Sequence, residues 1–249
     1  RRRLVGYLGH RRGAHRRGAL GTAHEGADGL RVGRCDPART PDRSGRGRGS
    51  GGGSVTRVFI TGGAGFLGGH VASALSARDD VALVVVGDVR PPAEPVAGVV
   101  YEQCDVTRAG ALAPLLQRHG IDVVVHLAAI VNPGRDHDLE YRVDVDGTRN
   151  VLSACVDAGV RRIVVSSSGA AYGYHPDNPE WLREGDPVRG NDEFAYAKHK
   201  RLVEEMLAAY RGSHPGLEQV VFRIGTILGP TVQNQITALW DGGRILAVR

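Results

Sequence analysis

The sequence predicts an α/β fold built on a doubly wound parallel sheet. Three observations carry this. Short runs rich in β-branched residues alternate with segments of helical periodicity over most of residues 55–224. One run, Val81–Val86 (VALVVV), is apolar without a break, as a strand covered on both faces must be. Strands separated by helices pair in parallel through right-handed crossovers.

The elements follow in order. Arg57–Thr61 (RVFIT) reads as the first strand. A glycine-rich turn follows, then a helix in which Leu67, Val71, Ala74 and Leu75 fall at i, i+4, i+7 and i+8. Val81–Val86 is the second strand and Val99–Gln103 a weaker third. Residues 107–119 read as a helix with Leu112, Leu115 and Leu116 on one side. Asp122–Leu127 (DVVVHL) is the fourth strand. Residues 139–158 read as one long helix, Arg162–Ser166 as the fifth strand, 192–211 as another helix, and Gln219–Ile224 (QVVFRI) as the sixth strand.

Composition bounds the function. The 249 residues are 41% hydrophobic and 24% charged, ordinary globular usage with room for a large core. No stretch approaches the ~20 consecutive apolar residues of a membrane span, so no membrane partner is expected. Cys35, Cys104 and Cys155 are far apart and odd in number. That excludes a disulfide scaffold and a Cys-x-x-Cys zinc site, so no metal is expected and a reducing cytoplasm is the expected location.

The charge is uneven. Residues 1–54 hold thirteen Arg and no Lys against Glu25, Asp28, Asp36 and Asp42, a net +9 within a chain of +5, so residues 55–249 carry −4. The segment has a short tandem repeat, His10–Ala14 and His15–Ala19, and ends in SGRGRGSGGGS. Few apolar residues and high charge cannot offset ordering entropy, so residues 1–54 are expected to be a disordered Arg/Gly-rich tail. An RNA-binding arm would want aromatics between the arginines, and the tail has Tyr7 alone; nucleic acid is not an expected partner. Met206 is the chain's one methionine and Val55 adjoins the first strand, so the native start is expected near Val55, with residues 55–249 as the functional body.

Three motifs carry chemistry. Gly62-x-x-Gly65-x-x-Gly68 sits between a predicted strand and a predicted helix. A tight turn there needs residues without Cβ, and the helix N-terminus stabilises a pyrophosphate. Asp88 ends the second strand, where an acid accepts hydrogen bonds from ribose hydroxyls and repels a 2′-phosphate, favouring NAD over NADP. Arg90 pulls the other way. In Tyr196-Ala197-Lys198-His199-Lys200, the i, i+4 spacing puts Tyr196 and Lys200 side by side on a helix. A neighbouring ammonium is expected to lower the phenol pKa and suit it to acid/base work. Lys198 and His199 are expected on the solvated face. Ser166-Ser167-Ser168 lies at the C-terminal end of the fifth strand, where ligands sit in open α/β sheets. Each motif alone has an ordinary reading, as a turn, a helix face or a polar loop.

Together they form a pattern. Thr61–Gly68 (TGGAGFLG), Asp88, Cys104-Asp105-Val106, His126-Leu127-Ala128-Ala129, Ser166–Gly173 (SSSGAAYG) and Tyr196–Lys200 occur in one order from about Thr56 to Pro230. This resembles the extended short-chain dehydrogenase/reductase family, also called the NAD-dependent epimerase/dehydratase family. The resemblance implies a Rossmann fold and NAD as cofactor. It implies that Gly62, Gly65, Phe66, Leu67 and Gly68 hold the pyrophosphate and Asp88 the adenosine ribose. Asp105 and Val106 would flank the adenine, and Ala128 and Ala129 the nicotinamide ribose. Tyr196 would be the catalytic acid/base and Lys200 its tuner and ribose contact. Ser168, four residues before Tyr172-Gly173, best matches the catalytic hydroxyl, with Ser167 as the fallback.

Departures bear on the substrate. The family's N-V-x-G-T motif has Asp144 in place of its Asn. Thr226 stands where sugar-nucleotide enzymes often carry Asn after Arg223. Gly242–Leu246 reads as a turn and strand inside a substrate region, so the C-terminal part is expected to be missing. The resemblance implies an epimerase or dehydratase acting on a small molecule, a nucleotide sugar among the options. The alternatives are a dehydrogenase or reductase of a non-sugar alcohol or ketone, or a non-catalytic NAD-binding regulator. It also suggests a homodimer through the two long helices, with Val151, Leu152, Ala208 and Ala209 on their outer faces.

Overall fold

The computed structural model of the chain describes residues 55–131, 134–229 and 231–232. The expected tail over 1–54 and the turn and strand at Gly242–Leu246 lie outside the described residues.

Six parallel strands form one sheet: β1 (Thr56–Thr61), β2 (Val81–Asp88), β3 (Val99–Gln103), β4 (Val123–His126), β5 (Arg162–Ser168) and β6 (Glu218–Ile224). Their order is β3-β2-β1-β4-β5-β6. The chain therefore winds outward one way from β1 through β3, then returns to β4 beside β1 and winds the other way. The C-terminal ends of β1 and β4 flank the reversal, where a doubly wound sheet opens a crevice.

Alternation along β1 explains the two-sided core. Phe59 joins Val85, Val124, Leu116, Val151, Leu152, Ile163 and Leu207 on one face. Val58 and Ile60 join Val84, Val86 and Ala72 on the other. Consecutive strand residues point to opposite faces, so a strand buried on both sides is apolar throughout.

The helices are α1 (Phe66–Ser76), α2 (Ala113–His119), α3 (His137–Tyr141), α4 (Gly147–Asp157) and α5 (Ala195–Ser213). Two differ from the sequence expectation. Residues 107–112 are not helical, because Asp105 Oδ1 captures both the Thr107 amide (2.9 Å) and its hydroxyl (2.7 Å) in a local turn. The helix waits for Pro114 near its start and stops at Gly120, which is left-handed at φ 57°. The expected long helix over 139–158 is α3 and α4 separated by a wide π turn, Arg142–Asp146. At that turn the Asp144 carboxylate is buried and Thr148 Oγ1 donates to the Asp144 carbonyl at 2.6 Å. Val151 and Leu152 are fully buried in the core, so of the residues proposed for a dimer face Ala208 and Ala209 alone are exposed.

Candidate active site

One cleft of about 980 Å³ runs along the C-terminal ends of the strands. Gly62, Gly65, Phe66, Leu67, Gly68, Asp88, Asp105, Val106, Ala128, Ala129, Ser168, Tyr196 and Lys200 all line it. The fold brings these residues together from α1, β2, β5, α5 and the segments that follow β1, β3 and β4.

The glycine turn is a steric device. Gly62 is left-handed (φ 68°), and a Cβ there would lie 2.6 Å from the Ala128 nitrogen. A Cβ on Gly68 would lie 2.4 Å from the Gly63 Cα, so α1 packs on the turn backbone to backbone. Gly65 differs: its Cβ would meet the Gly62 carbonyl oxygen alone, at 3.3 Å. It therefore keeps a wall of the cleft bare. Gly65 is also the N-cap of α1, and no side chain caps that end. The first-turn amides, Phe66 and Leu67 among them, have no intrahelical acceptor and are suited to a phosphate. A bare cradle before an uncapped helix fits a dinucleotide pyrophosphate.

Asp88 stands at the end of β2 across the cleft. Its Oδ2 accepts the Ala64 amide at 3.1 Å and its Oδ1 the Arg90 amide at 3.1 Å. The carboxylate is thus held by backbone amides of the glycine turn and of its own loop. Arg90 lines the same part of the cleft. Asp105 and Val106 form the next wall, with Cys104 between them and β2. Burial pushes the Cys104 thiol up to about 11, so it stays protonated and is not a nucleophile.

At the other end stand Ser168, Tyr196 and Lys200. Ser168 caps the short 3-10 turn Gly169–Tyr172, accepting the Ala170 amide at 3.2 Å, and its hydroxyl stands near enough to the Tyr196 phenol to favour the ionised form. Lys200 Nζ donates to the Ser166 carbonyl at 2.9 Å and lies 5.6 Å from the Tyr196 ring centre. Here the structure corrects an expectation. The Tyr196 phenol is held above its ordinary range, not below it. Burial is the main cause and the Asp144 charge adds to it, while the Ser168 hydroxyl opposes. Burial also lowers Lys200, against the pull of Asp144 and Glu204. The lysine spacing was legible; the low dielectric around it was not.

Ser167 has another task. Its hydroxyl donates to Glu204, which is bound by Arg223 through Nε (3.0 Å) and Nη2 (2.6 Å). Arg223 Nη1 continues to the Tyr172 hydroxyl at 2.7 Å. This network holds the loop after β5, and so Ser168, in place.

Sequence reasoning missed the support beneath the site. His126 Nδ1 lies 2.7 Å from Thr61 Oγ1, and Nε2 lies 3.0 Å from Thr148 Oγ1. Thr148 donates its own proton to the Asp144 carbonyl, so it accepts from His126 Nε2–H and Thr61 donates to Nδ1. The imidazole is neutral: complete burial, with Lys200 nearby, holds its pKa down at about 3. His199, expected on the solvated face of its helix, is buried. That side of α5 packs on the π turn, where His199 Nδ1 meets Asp144 Oδ2 at 3.1 Å. The nearest signal in the sequence is Asp144 itself, an acid between Val143 and Val145.

The geometry can be set beside known proteins. The family model of the NAD dependent epimerase/dehydratase family matches residues 58–241. The chain belongs to this family. A 3 beta-hydroxysteroid dehydrogenase/Delta 5-->4-isomerase of Vaccinia virus is 32% identical over 59% of this chain and 44% of its own length. A UDP-glucose 4-epimerase of Azospirillum brasilense is 32% identical over 70% of this chain and 49% of its own. The structure of Thermus thermophilus UDP-glucose 4-epimerase in complex with NAD superposes with a TM-score of 0.63 at 31% identity, covering 72% of this chain and 58% of that one. The chain spans about half the length of the curated relatives it matches. Among the described residues no helix is long and apolar enough to cross a membrane.

Proposed function

We propose that the protein is an NAD-dependent oxidoreductase of the epimerase/dehydratase type, acting on a hydroxyl or keto group with Ser168, Tyr196 and Lys200. The observation that carries this reading is the meeting, in one cleft, of the bare glycine cradle and the Ser168–Tyr196–Lys200 cluster.

NAD bound in the cleft supplies hydride-accepting and hydride-returning chemistry. The chain's own residues handle the proton and the orientation. Tyr196, with its raised pKa, is a neutral phenol near neutral pH and is ready to donate its proton to a carbonyl oxygen. Ser168 lines the cleft beside that phenol, where its hydroxyl steadies the reacting oxygen. Lys200, fixed on the Ser166 carbonyl, keeps a cation next to the phenol as charge builds. Asp88 and the glycine turn orient the cofactor.

For the substrate, the epimerase relatives support a nucleotide sugar. A second reading has its own support. Ile130, Val131, Leu139, Phe194 and Ile227 give the cleft a largely apolar wall, in which Tyr174 and Thr226 supply hydroxyls. A cyclic non-sugar alcohol would suit such a wall, and the hydroxysteroid dehydrogenase relative points the same way.

Calorimetric titration with NAD and NADP tests the cofactor half. Binding of NAD with NADP much weaker is expected from Asp88, and a preference for NADP would overturn it. Tyr196→Phe tests the chemistry: turnover should fall by about 10²-fold or more while NAD binding stays. Unchanged turnover would remove Tyr196 from the mechanism. Comparing UDP-glucose with an apolar cyclic alcohol, read as NADH absorbance and as epimer formation, separates the two substrate readings.

A further inference from the structure

Asp144 and His199 form a pair that the proposed chemistry leaves unused. Both are buried, with relative exposures of 4% and 5%. Asp144 Oδ1 accepts the Ile130 amide at 2.8 Å, and Oδ2 meets His199 Nδ1 at 3.1 Å. Tyr141 covers the imidazole edge-on, with ring centres 5.6 Å apart. A carboxylate is unfavourable in such a place unless both oxygens have partners, and here both do.

The pair adjoins the reacting groups on two sides. Ile130, whose amide it holds, lines the cleft just beyond Ala129. On the other side a space of about 10 Å³, the size of one water, lies between Asp144, Lys200, Ser166, His126 and Thr148. The Asp144 charge acts on both Lys200 and Tyr196, favouring the ammonium and opposing the phenolate. The carboxylate is carried by the π turn, and His199 directly precedes Lys200 on α5.

We propose that the Asp144–His199 pair is a positioning element for the Lys200–Tyr196 couple, fixing a buried carboxylate behind the lysine and the Ile130 amide in the cleft wall. The proposal rests on the reading of Tyr196 as acid/base. The pair joins the π turn to α5. His199 fixes the orientation of the carboxylate, and the carboxylate keeps the desolvated ammonium charged. The other ionisable groups facing this region are Glu140 and Tyr141 on α3, His126 on β4, Glu204 on α5, Arg223 on β6 and Tyr174 across the cleft.

Asp144→Asn separates charge from packing. The amide oxygen still accepts from Ile130 and the amide nitrogen still faces His199, but the charge is gone. The readout is the midpoint of Tyr196 ionisation in the free chain, from phenolate absorbance taken as a difference against Tyr196→Phe in the same background. The midpoint should move to lower pH, since the carboxylate opposes the phenolate. A midpoint that stays or rises overturns the charge role. His199→Leu and His199→Asn test positioning, because Asn presents a nitrogen where Nδ1 stood. NAD affinity should fall in the Leu variant and return in the Asn variant. Equal affinity in both, at the parent value, overturns the positioning role. Should the His199→Leu substitution unfold the chain, the Asp144→Asn midpoint still decides the charge role, and the His199→Asn variant must then match the parent in NAD affinity. Loss of the parent's NAD binding, or full turnover in Tyr196→Phe, would sink the catalytic reading separately and leave the midpoint result standing.

Discussion

At the glycine turn the cleft is shaped by missing side chains, and at the tyrosine end by buried charged ones. Gly62, Gly65 and Gly68 lie within seven consecutive residues, and their work is steric: backbone meets backbone, and a helix end is left bare. The tyrosine end draws on β4, the π turn, β5, α5 and β6. Its parts are His126, Asp144, Ser167, Ser168, His199, Lys200, Glu204 and Arg223, joined by hydrogen bonds in low dielectric. The difference teaches where each half is vulnerable. The first half fails when volume is added, the second when charge or protonation changes.

Acid should therefore strike the tyrosine end hardest. His126 is neutral in the fold, with a pKa of about 3 against an ordinary 6.5. Between those values the unfolded chain binds the extra proton and the folded chain does not. This contribution is complete above pH 6.5 and is lost as pH falls toward 3, on the order of 5 kcal/mol in all. Urea midpoints measured across that range should show it, and His126→Gln should flatten the curve. An unchanged slope in the variant would mean that other groups set the acid sensitivity.

Next in size is the ion pair under Ser168. Arg223→Met leaves Glu204 buried without its guanidinium and should cost about 3 kcal/mol in denaturant unfolding. A loss near zero would show that water reaches Glu204 once the arginine is gone.

The glycine turn gives a graded contrast. Gly68→Ala puts a Cβ against the Gly63 backbone and should cost about 1–3 kcal/mol of stability. Gly65→Ala should leave stability nearly unchanged and weaken NAD binding, read by calorimetry. If both variants lose stability alike, Gly65 is structural and the cradle reading fails.

The smallest effect sharpens the division among the serines. Ser167→Ala should cost about 1 kcal/mol of stability through Glu204 and leave turnover near the parent. Ser168→Ala should do the reverse, keeping the melting temperature and lowering kcat. Equal kcat losses would put both hydroxyls in the reaction.

Much of the fold was legible because its signals are local. Six strands appear within a few residues of their expected ends, since β1, β2 and β4 are buried apolar runs and β3, β5 and β6 hold short β-branched runs bounded by polar residues. Two helices were overextended for identifiable reasons. Asp105 captures Thr107 before α2, and the π turn interrupts the run from α3 to α4. Helical periodicity reports the apolar face, and it registers neither a side chain that competes for a backbone amide nor one extra residue in a turn.

By itself the sequence determined the alternation of strand and helix, the glycine turn with its left-handed and closely packed positions, and the adjacency of Tyr196 and Lys200 on one helix. Each depends on the volume, backbone freedom or spacing of residues near one another in the chain. Tertiary structure decided which serine bonds Glu204, that His199 is buried, that His126 is neutral, and that Tyr196 is held protonated and not ionised. Those outcomes depend on desolvation and on partners distant in sequence: Asp144 and His199 are 55 residues apart, and Ser167 and Glu204 are 37 apart. Burial sets the sign of a pKa shift, and burial exists only once the sheet has brought those segments together.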